Sequence, residues 1–483
     1  MTEHTPQQLT FIEALRASSS SLILEALAGT GKTTTLCAGH AALSPADYLF
    51  VAFAKSNVQD FLEKGLPTDK VKTLNSLGGS AWTSHLGRRP TIDTSKLHNI
   101  LKSLSLPRDL EWGEVRRAVS LSKAEGLVPQ GAPLLASHAS RDDFLSVFET
   151  HDIDTGPGLP DTFLHYVTQA LRTTISQGLA GTIDFDDQLY LPVIYSAAFR
   201  RSPLLYVDEA QDLNTVQHRI VAAILGKTGR LVAAGDPHQA IYGFRGAKSD
   251  SMSALAAGTA AVGLPLTVSF RCSRAVVEEA RQFVPEFSAW EGAEDGEVLS
   301  LPFDYDALVP GTDAVLCRNN APLVGLAFRL LREQKPFRYV GRAFGEGLTL
   351  LVKKLAKGAA GRDGLLKALA EWKDLELANT SDRAKKSRIL DKADSLREIF
   401  KSLSPSQGGL DAIARINLVF DESRPGITLS TGHRAKGREY SRVWWLRPEL
   451  LDLDLEAERN LAYVITTRAK STLIKVTEGD DHD

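Results

Sequence analysis

Short apolar runs alternate along the chain with longer stretches in which apolar residues recur every three or four positions. The runs at 48–53, 71–74, 204–207 and 231–234 are typical of buried strands, and the stretches after them are typical of helices. Strands that alternate with helices in this way predict a parallel, doubly wound α/β sheet. A second series of such runs predicts a second α/β unit. Its members are 266–270, 314–317, 337–340, 427–430, 442–446 and 473–476.

Two helical stretches interrupt this alternation. From 87 to 181 leucines recur at helical spacing between several prolines, and from 343 to 420 a stretch rich in Leu, Lys and Glu has the same spacing. We interpret both as helical insertions, the second one short. The predicted segments are 1–86 and 182–263 for the first α/β domain, 87–181 for its insertion, 264–342 and 421–483 for the second α/β domain, and 343–420 for its insertion.

Composition limits the classes of protein that this chain can belong to. The 483 residues carry a net charge of −3, so an anionic partner must be bound by a local groove and not by an overall positive field. The three cysteines lack CxxC spacing, which argues against a disulfide framework or a zinc site. No apolar run approaches the roughly 18 residues of a membrane span. We therefore expect a soluble, cytoplasmic protein.

The segment Glu25–Thr34, EALAGTGKTT, has the composition and context of a phosphate-binding loop. An apolar run precedes it and a helix-compatible run follows it. Gly29 and Gly31 allow the backbone N–H groups to turn toward a phosphate, Lys32 supplies a positive charge, and Thr33 offers a hydroxyl to Mg²⁺. The predicted phosphate-binding positions are Ala28, Gly29, Thr30, Gly31, Lys32, Thr33 and Thr34.

Two acidic residues follow the strand-like run at 204–207. Asp208 and Glu209 stand where a parallel sheet places its chemistry, at the carboxyl end of a strand. We expect Asp208 to hold Mg²⁺ through water and Glu209 to polarise the water that attacks the phosphate. The run at 231–234 leads into 235–246, GDPHQAIYGFRG, which combines an amide, aromatic rings and an arginine. Such a mixture suits a loop that links a phosphate to stacked bases.

Taken together and in order, these segments resemble a superfamily-one DNA helicase of the UvrD/PcrA/Rep type. The segments DEAQD, GDPHQAIYGFRGA, SFRCS, HRAKGREY and AYVITTRA carry the resemblance, which extends from Gln8 to Arg468. It implies two RecA-like parallel-sheet domains with an ATP site between them, and a helical subdomain inserted in each. It also implies ATP as substrate and Mg²⁺ as cofactor.

The resemblance implies roles for individual residues of the nucleotide site. Arg271 and Arg468 would reach the γ-phosphate from the second domain, and an arginine finger of this kind is worth about 10³–10⁵ in rate. The remaining implied positions are Gln8 for the adenine edge, Phe270 for stacking on the adenine, Gln239 for sensing the γ-phosphate, Glu439 for the ribose, and Gly437 in the same segment as Glu439.

The same resemblance implies a set of DNA-binding residues. Tyr242 and Phe244 would stack on bases, each stack being worth roughly 1–3 kcal/mol. The other implied DNA-binding positions are Phe53, Asn75, Arg245 and His433. The chain departs from the family pattern at three of its motif positions, which are Ala26 in place of Gly, Ala54 in place of Asn, and Asn75 in place of His.

The sequence therefore predicts an ATP- and Mg²⁺-dependent translocase that moves 3′→5′ on single-stranded DNA and separates strands in replication, repair or recombination. One alternative is a DNA-stimulated ATPase that strips proteins or senses DNA ends without unwinding, which the short second insertion leaves open. The other is an ATP-binding clamp or adaptor without turnover. The expected partners are single-stranded and tailed duplex DNA. The residues do not distinguish DNA from RNA, and the oligomeric state stays open, with a monomer compatible.

Overall fold

The computed structural model describes residues 4–107, 110–133, 137–151, 153–155, 160–243, 246, 250–380 and 383–477. By its internal contacts the chain divides into two compact units, Met1–Thr267 and Val268–Asp483. Each unit is built on a six-stranded sheet. Among the described residues, no helix has the length and apolar character that a membrane crossing requires.

The sheet of the first unit has the strand order β3-β2-β6-β7-β1-β8, and its neighbouring strands are all parallel. Outside it, β4 and β5 form a separate two-stranded ladder. The strands are β1 Leu22–Ala26, β2 Leu49–Ala52, β3 Val71–Thr73, β4 Thr91–Ile92, β5 Thr182–Ile183, β6 Leu204–Val207, β7 Arg230–Gly235 and β8 Val262–Leu266. This unit therefore has the parallel α/β architecture that the sequence predicts.

Helices cover both faces of the first sheet. Successive residues of β1 point to opposite faces, so Leu24 packs with one apolar cluster and Ile23 packs with the other. Because both faces of the sheet are covered, the side chains on both faces of these strands are apolar. The helices of the unit are α1 Pro6–Ala17, α2 Lys32–Leu43, α3 Lys55–Glu63, α4 Leu74–Leu86, α5 Lys96–Ser103, α6 Trp112–Glu125, α7 Arg141–Thr150, α8 Pro160–Leu179, α9 Asp187–Ile194, α10 Thr215–Leu225 and α11 Ser251–Thr259.

The boundary between the units differs from the predicted one. The sequence placed the start of the second domain at Leu264, just before the strand-like run 266–270. In the structure β8 pairs with β1 of the first sheet, with Leu264 beside Leu24. The run is split, because its first part closes the edge of one sheet and Val268–Ser269 begins the other unit. An apolar run alone does not reveal which sheet it joins.

The first helical insertion comprises α5 to α8 and has a core of its own. Leu97, Val115, Phe144 and Phe163, one from each helix, belong to a single buried cluster. The chain enters the insertion after β4 and leaves it before β5, and these two short strands pair in parallel.

Four buried charged side chains tie this insertion to the rest of the first unit. Lys96 Nζ lies 2.5 Å from Asp187 Oδ2 and also donates to the carbonyl of Thr174 at 2.8 Å. Lys123 Nζ lies 2.8 Å from Asp184 Oδ2 and 2.9 Å from Asp187 Oδ1. Burial lowers the pKa of Lys96, although Asp187 opposes this effect. Each charge has a partner of opposite sign, as buried charges require.

The second unit contains a six-stranded sheet in the order β11-β16-β15-β12-β14-β13, again with parallel neighbours. Two further strands, β9 and β10, form a separate parallel ladder. The strands are β9 Val268–Ser269, β10 Ser288–Ala289, β11 Glu297–Pro302, β12 Asp313–Cys317, β13 Phe337–Val340, β14 Ile427–Thr431, β15 Tyr440–Leu446 and β16 Ala469–Thr477.

The second helical insertion does not form a separate core. Leu365 and Leu396 of its helices belong to the same buried cluster as Val315, Leu429 and Trp444 of the sheet. The helices of this unit are α12 Arg274–Ala280, α13 Ala321–Arg332, α14 Arg342–Leu355, α15 Gly361–Ala378, α16 Arg383–Lys401, α17 Gly409–Val419, α18 Gly432–Ala435 and α19 Glu456–Thr466. The segment predicted as an insertion, α14 to α17, therefore covers one face of the second sheet.

Candidate nucleotide-binding and strand-binding sites

The predicted phosphate loop lies between β1 and α2 and has the backbone of an anion-binding turn. Gly29 and Gly31 have φ angles of 71° and 81°, values that glycine adopts without steric cost. Helix α2 begins at Lys32, immediately after Gly31. The N–H groups of its first turn have no partner within the helix, and the helix dipole favours negative charge at this end. The loop can therefore bind a phosphate.

The ammonium group of Lys32 lies against both predicted acidic residues. Its Nζ is 3.1 Å from Asp208 Oδ1 and 2.5 Å from Glu209 Oε1. Burial disfavours the charge of Lys32, but the two carboxylates outweigh that effect and raise its pKa. The structure thus brings Lys32 together with Asp208 and Glu209, which the sequence analysis selected from two segments far apart in the chain. The lysine stays positively charged at the carboxyl edge of the sheet.

The backbone at Glu209 is in an unfavourable conformation. Glu209 follows β6 and has φ 54° and ψ 41°, in the left-handed region that non-glycine residues rarely adopt. Such a conformation costs about 1–3 kcal/mol and persists only where its surroundings impose it. Here Asp208 N–H is held by the carbonyl of Val51 on the neighbouring strand at 2.9 Å. Strain of this kind is typical of a functional position.

The residues expected to hold Mg²⁺ have suitable chemistry. Asp208 is buried, and burial raises its pKa in spite of the neighbouring Lys32. Its Oδ1 atom is ion-paired with Lys32 Nζ at 3.1 Å. Thr33 lies in the first turn of α2 and is half-buried. A carboxylate oxygen and a hydroxyl are ligands that Mg²⁺ accepts directly or through water, so these residues fit the ion.

A chain of hydrogen bonds connects Glu209 to Gln239. Gln211 Nε2 donates to Glu209 Oε2 at 2.5 Å, and Gln211 Oε1 accepts from the N–H of Asp236 at 3.1 Å. Gln239 Nε2 in turn donates to Asp236 Oδ2 at 2.7 Å. The sequence interpretation gave no role to Gln211. Gly235 leaves room for this amide, because a Cβ at that position would lie 2.3 Å from Gln211 Oε1. The sequence alone does not show this proximity.

Three of the predicted nucleotide-binding residues of the first unit make hydrogen bonds within that unit. Gln8 is buried and forms a capping box with Thr5 at the start of α1, and its Nε2 donates to the carbonyl of Thr30 at 3.4 Å. Gln8 therefore lies against the phosphate loop. Thr34 is exposed, and its hydroxyl accepts from Lys64 Nζ at 3.1 Å. Thr30 is buried, and its hydroxyl donates to the carbonyl of Leu27 at 2.9 Å.

In the second unit, Arg271 and Glu439 form an ion pair. Arg271 Nε donates to Glu439 Oε2 at 2.8 Å, and Lys470 Nζ lies 3.3 Å from Glu439 Oε1. Partial burial opposes the negative charge, but Arg271 and Lys470 lower the pKa of Glu439. Gly437, two residues earlier, is exposed and has φ 80°. Glu439 and Arg271, which were predicted to contact different parts of the nucleotide, thus contact each other here.

Arg468 is almost completely buried in the second unit. Its Nε donates to the carbonyl of Val464 at 3.0 Å, and its Nη1 donates to the carbonyl of Arg438 at 3.0 Å. Its Nη2 donates to the hydroxyl of Thr467 at 3.2 Å, and the backbone carbonyl of Thr467 accepts from Arg271 Nη1 at 3.4 Å. Thr467 therefore links the two predicted arginine fingers.

The predicted DNA-binding residue Asn75 lies beside an aromatic residue that the sequence interpretation did not select. Asn75 Nδ2 donates to the backbone carbonyl of Phe185 at 2.9 Å. The Phe185 side chain is 56% exposed although it lies between the buried residues Asp184 and Asp187. An exposed ring on a turn that is fixed at both sides can stack on a base. The signal in the sequence was a phenylalanine inside an acidic run.

The other predicted DNA-binding residues are distributed over both units. Phe53 follows β2 and Tyr242 follows β7, and both are half-buried. His433 lies in the short helix α18 of the second unit and is also half-buried. Phe244 and Arg245 lie outside the described residues. Phe270, predicted to stack on adenine, is exposed on the second unit.

Comparison with known proteins relates the chain to helicases. Residues 162–258 match the family model described as the UvrD/REP helicase N-terminal domain. The chain is 25% identical over 527 aligned positions to F-box DNA helicase protein 1 of Schizosaccharomyces pombe, covering 97% of this chain and 57% of that protein. It is 24% identical over 380 positions to DNA helicase II of Escherichia coli, covering 68% of this chain and 50% of that protein.

A shorter aligned segment has a higher sequence identity. Over 75 positions the chain is 41% identical to the RecBCD enzyme subunit RecB of Mycobacterium tuberculosis, covering 16% of this chain and 7% of that subunit. The chain thus spans little more than half the length of the first of these relatives and half that of the second.

Proposed function

We propose that this chain is an ATP- and Mg²⁺-dependent DNA helicase of the UvrD-like group of superfamily one, to whose members it is similar. In the proposal it moves 3′→5′ on single-stranded DNA and separates strands during replication, repair or recombination. The observation that carries the proposal is the contact of Lys32 with Asp208 and Glu209 at the carboxyl edge of the first sheet.

That contact supplies the groups that phosphoryl transfer to water needs. The loop N–H groups and Lys32 bind the phosphates, and the ammonium group of Lys32 exchanges its carboxylate partners for phosphate oxygens when ATP arrives. Glu209 is then released to orient the attacking water and to accept its proton. Mg²⁺, held by Thr33 and Asp208, would neutralise charge on the phosphates.

The amide chain gives the site a way to respond to the γ-phosphate. Gln239 contacts Asp236, and Gln211 contacts both Asp236 and Glu209. A hydrogen bond from Gln239 to the γ-phosphate would change its bond to Asp236, and that change would reach Glu209 through Gln211. In the proposal, this series of hydrogen bonds therefore couples the presence of the γ-phosphate to the position of the Glu209 carboxylate.

Arg271 and Arg468 supply transition-state charge stabilisation in this proposal, as the family resemblance implies. Arg271 must leave Glu439, to which it is paired in the structure, before it can bind a phosphate oxygen. The carboxylate of Glu439 would then face the ribose hydroxyls.

Hydrolysis moves a DNA strand only if the protein binds the strand differently in its ATP-bound and ATP-free states.

Strand separation on a tailed duplex is the experiment that tests the proposal. The wild-type chain should hydrolyse ATP faster with single-stranded DNA, require Mg²⁺, and unwind a duplex that carries a 3′ tail but not one that carries a 5′ tail. Hydrolysis without unwinding would favour an ATPase that strips proteins or senses DNA ends. ATP binding without hydrolysis would favour a clamp or adaptor. An equal response to single-stranded RNA would extend the substrate class.

A further inference from the structure

The two-stranded ladder of β9 and β10 places two aromatic residues next to each other. Val268 pairs with Ser288 and Ser269 pairs with Ala289, so Phe270 and Trp290 follow at matching positions. The N–H of Trp290 donates to the carbonyl of Ser269 at 3.0 Å, which continues the ladder by one bond. The ring centroids of Phe270 and Trp290 are 6.0 Å apart, with their planes at 39°.

Both rings are open to solvent although they pack against each other. Phe270 is 41% exposed and Trp290 is 46% exposed. Large aromatic side chains bury most of their area in the core of a domain, so an exposed pair indicates a binding surface. The sequence interpretation assigned a base-stacking role to Phe270 and none to Trp290.

The segment after β10 holds the indole of Trp290 in place. The N–H of Ala293 donates to the carbonyl of Trp290 at 2.9 Å and closes a tight turn. The ring lies directly over Gly292, where a Cβ would be 2.3 Å from Cη2 of Trp290. Arg274 donates to the carbonyl of Glu291 and, at 2.8 Å, to the carboxylate of Asp295. The exposed ring is therefore ordered by its own loop.

We propose that Phe270 and Trp290 form one aromatic surface for the base of the nucleoside triphosphate, with Trp290 as a further base-binding residue. The inference rests on the proposed function and deepens it. Phe270 directly precedes Arg271, whose side chain donates to Glu439 and to the carbonyl of Thr467. In the proposed function Arg271 binds a phosphate and Glu439 faces the ribose, so a base stacked on Phe270 would belong to the same nucleotide.

A surface of two rings favours a purine over a pyrimidine. A bicyclic base covers more aromatic area than a monocyclic base, and stacking strength follows the area that is covered. Trp290 therefore contributes to the preference for purine nucleotides. Stacking does not read the edge of the base, so this contribution is the same for adenine and guanine nucleotides.

Equilibrium binding of ATPγS and CTPγS to the full chain, measured by calorimetry, tests the proposal without requiring turnover. Trp290→Ala should weaken ATPγS binding about fivefold to tenfold and CTPγS binding less. Trp290→Phe should retain most of the affinity, because it keeps a ring in the same position. Leu301→Ala is the matched control, since Leu301 is exposed to a similar extent on β11 of the same unit. In hydrolysis assays Trp290→Ala should raise KM and leave kcat near the wild-type value.

The outcomes separate this inference from the proposed function. If the wild type binds ATPγS but does not hydrolyse ATP, the proposed helicase function fails, and the binding ratio still tests Trp290. If Trp290→Ala binds both nucleotides as the wild type does, with an unchanged melting temperature, the inference is overturned. It is also overturned if the variant loses affinity for oligothymidylate and not for nucleotide, since the rings would then bind a strand.

Discussion

Arg271 and Arg468 donate hydrogen bonds to two different oxygens of the same residue, Thr467. Arg271 uses the backbone carbonyl at 3.4 Å, and Arg468 uses the side-chain hydroxyl at 3.2 Å. The carbonyl of Thr467 lies 3.8 Å from the thiol of the buried Cys272 as well. The position of one arginine therefore depends on the backbone that positions the other.

Because the two arginines share this support, we expect their contributions to catalysis to be non-additive. Arg271→Ala or Arg468→Ala should lower kcat by about 10³ with a much smaller change in nucleotide affinity, and the double variant should be little slower than either single one. Lysine should rescue poorly, because it lacks the planar fork of arginine. A double-mutant cycle on DNA-stimulated kcat measures whether the effects of the two arginine substitutions are additive.

Arg281→Ala is the control for the arginine cycle, because Arg281 pairs with Glu278 on an exposed surface of the same unit. Arg468→Ala should also lower the melting temperature, since its buried guanidinium bonds to backbone carbonyls. Arg271→Ala should not lower it. Fully additive losses in kcat would mean that the two arginines do not act on one transition state.

Lys32→Ala and Glu209→Gln should both abolish hydrolysis, for different reasons. Loss of Lys32 removes a phosphate-binding charge, so nucleotide binding should weaken. Loss of the Glu209 carboxylate removes the base, so ATP should stay bound and unhydrolysed. Filter binding with labelled ATP, alongside phosphate release, distinguishes the two variants. Lys70→Ala, which breaks an exposed pair with Asp47, should behave as the wild type. Wild-type turnover in Glu209→Gln would contradict the assigned role.

Gln211→Ala should lower kcat by about tenfold to a hundredfold while KM for ATP changes little, because the amide is bonded to Glu209 and to the N–H of Asp236 and so acts on the position of Glu209. Gly235→Ala should reproduce this loss, since its methyl group would displace the Gln211 side chain. Gln59→Ala, which removes an exposed amide bonded to Glu63, is the matched control. Steady-state kinetics at saturating DNA give both parameters. A rise in KM without a fall in kcat would remove Gln211 from the positioning role.

Lys96→Met should lower the free energy of unfolding by about 3–5 kcal/mol, because Asp187 loses a buried partner. The double variant Lys96→Met, Asp187→Leu should recover much of this loss, since Lys123 still pairs with Asp184. Urea denaturation measures both. Arg141→Ala breaks an exposed pair with Asp161 and should change stability by less than about 1 kcal/mol. A Lys96→Met effect as small as that of the control would show that the cluster is not a buried network.

The sequence predicted those features that depend on neighbouring residues. The strand, loop and helix around residues 25–34, the acidic strand end and the alternation of strands with helices are encoded within a few positions, and the structure has each of them. The strand order, the edge position of β8 and the shared core of the second insertion depend on pairing between distant segments. No local pattern reports such pairing.

The same distinction applies to the site residues. Gln211 stands in the acidic segment that the sequence singled out, but its role depends on its contact with Asp236. Asp236 follows a different strand, β7, so the sequence does not show this contact. Trp290 becomes adjacent to Phe270 through a ladder of two residues in each strand, which is too short to recognise in the sequence. Lys96 and Asp187 are separated by 91 positions, so neither residue signals the other.

The pairing of β4 with β5 makes the first insertion a unit that evolution or an engineer could exchange as a cassette. The chain leaves and re-enters the α/β framework on adjacent strands of two residues each, roughly 4.8 Å apart, and the cassette carries its own core. Ion pairs also connect the insertion to the rest of the unit, because its Lys96 and Lys123 pair with Asp184 and Asp187. Asp184 and Asp187 remain behind when the cassette is removed, so a replacement must bring two ammonium groups to them or be accompanied by neutral residues at both positions.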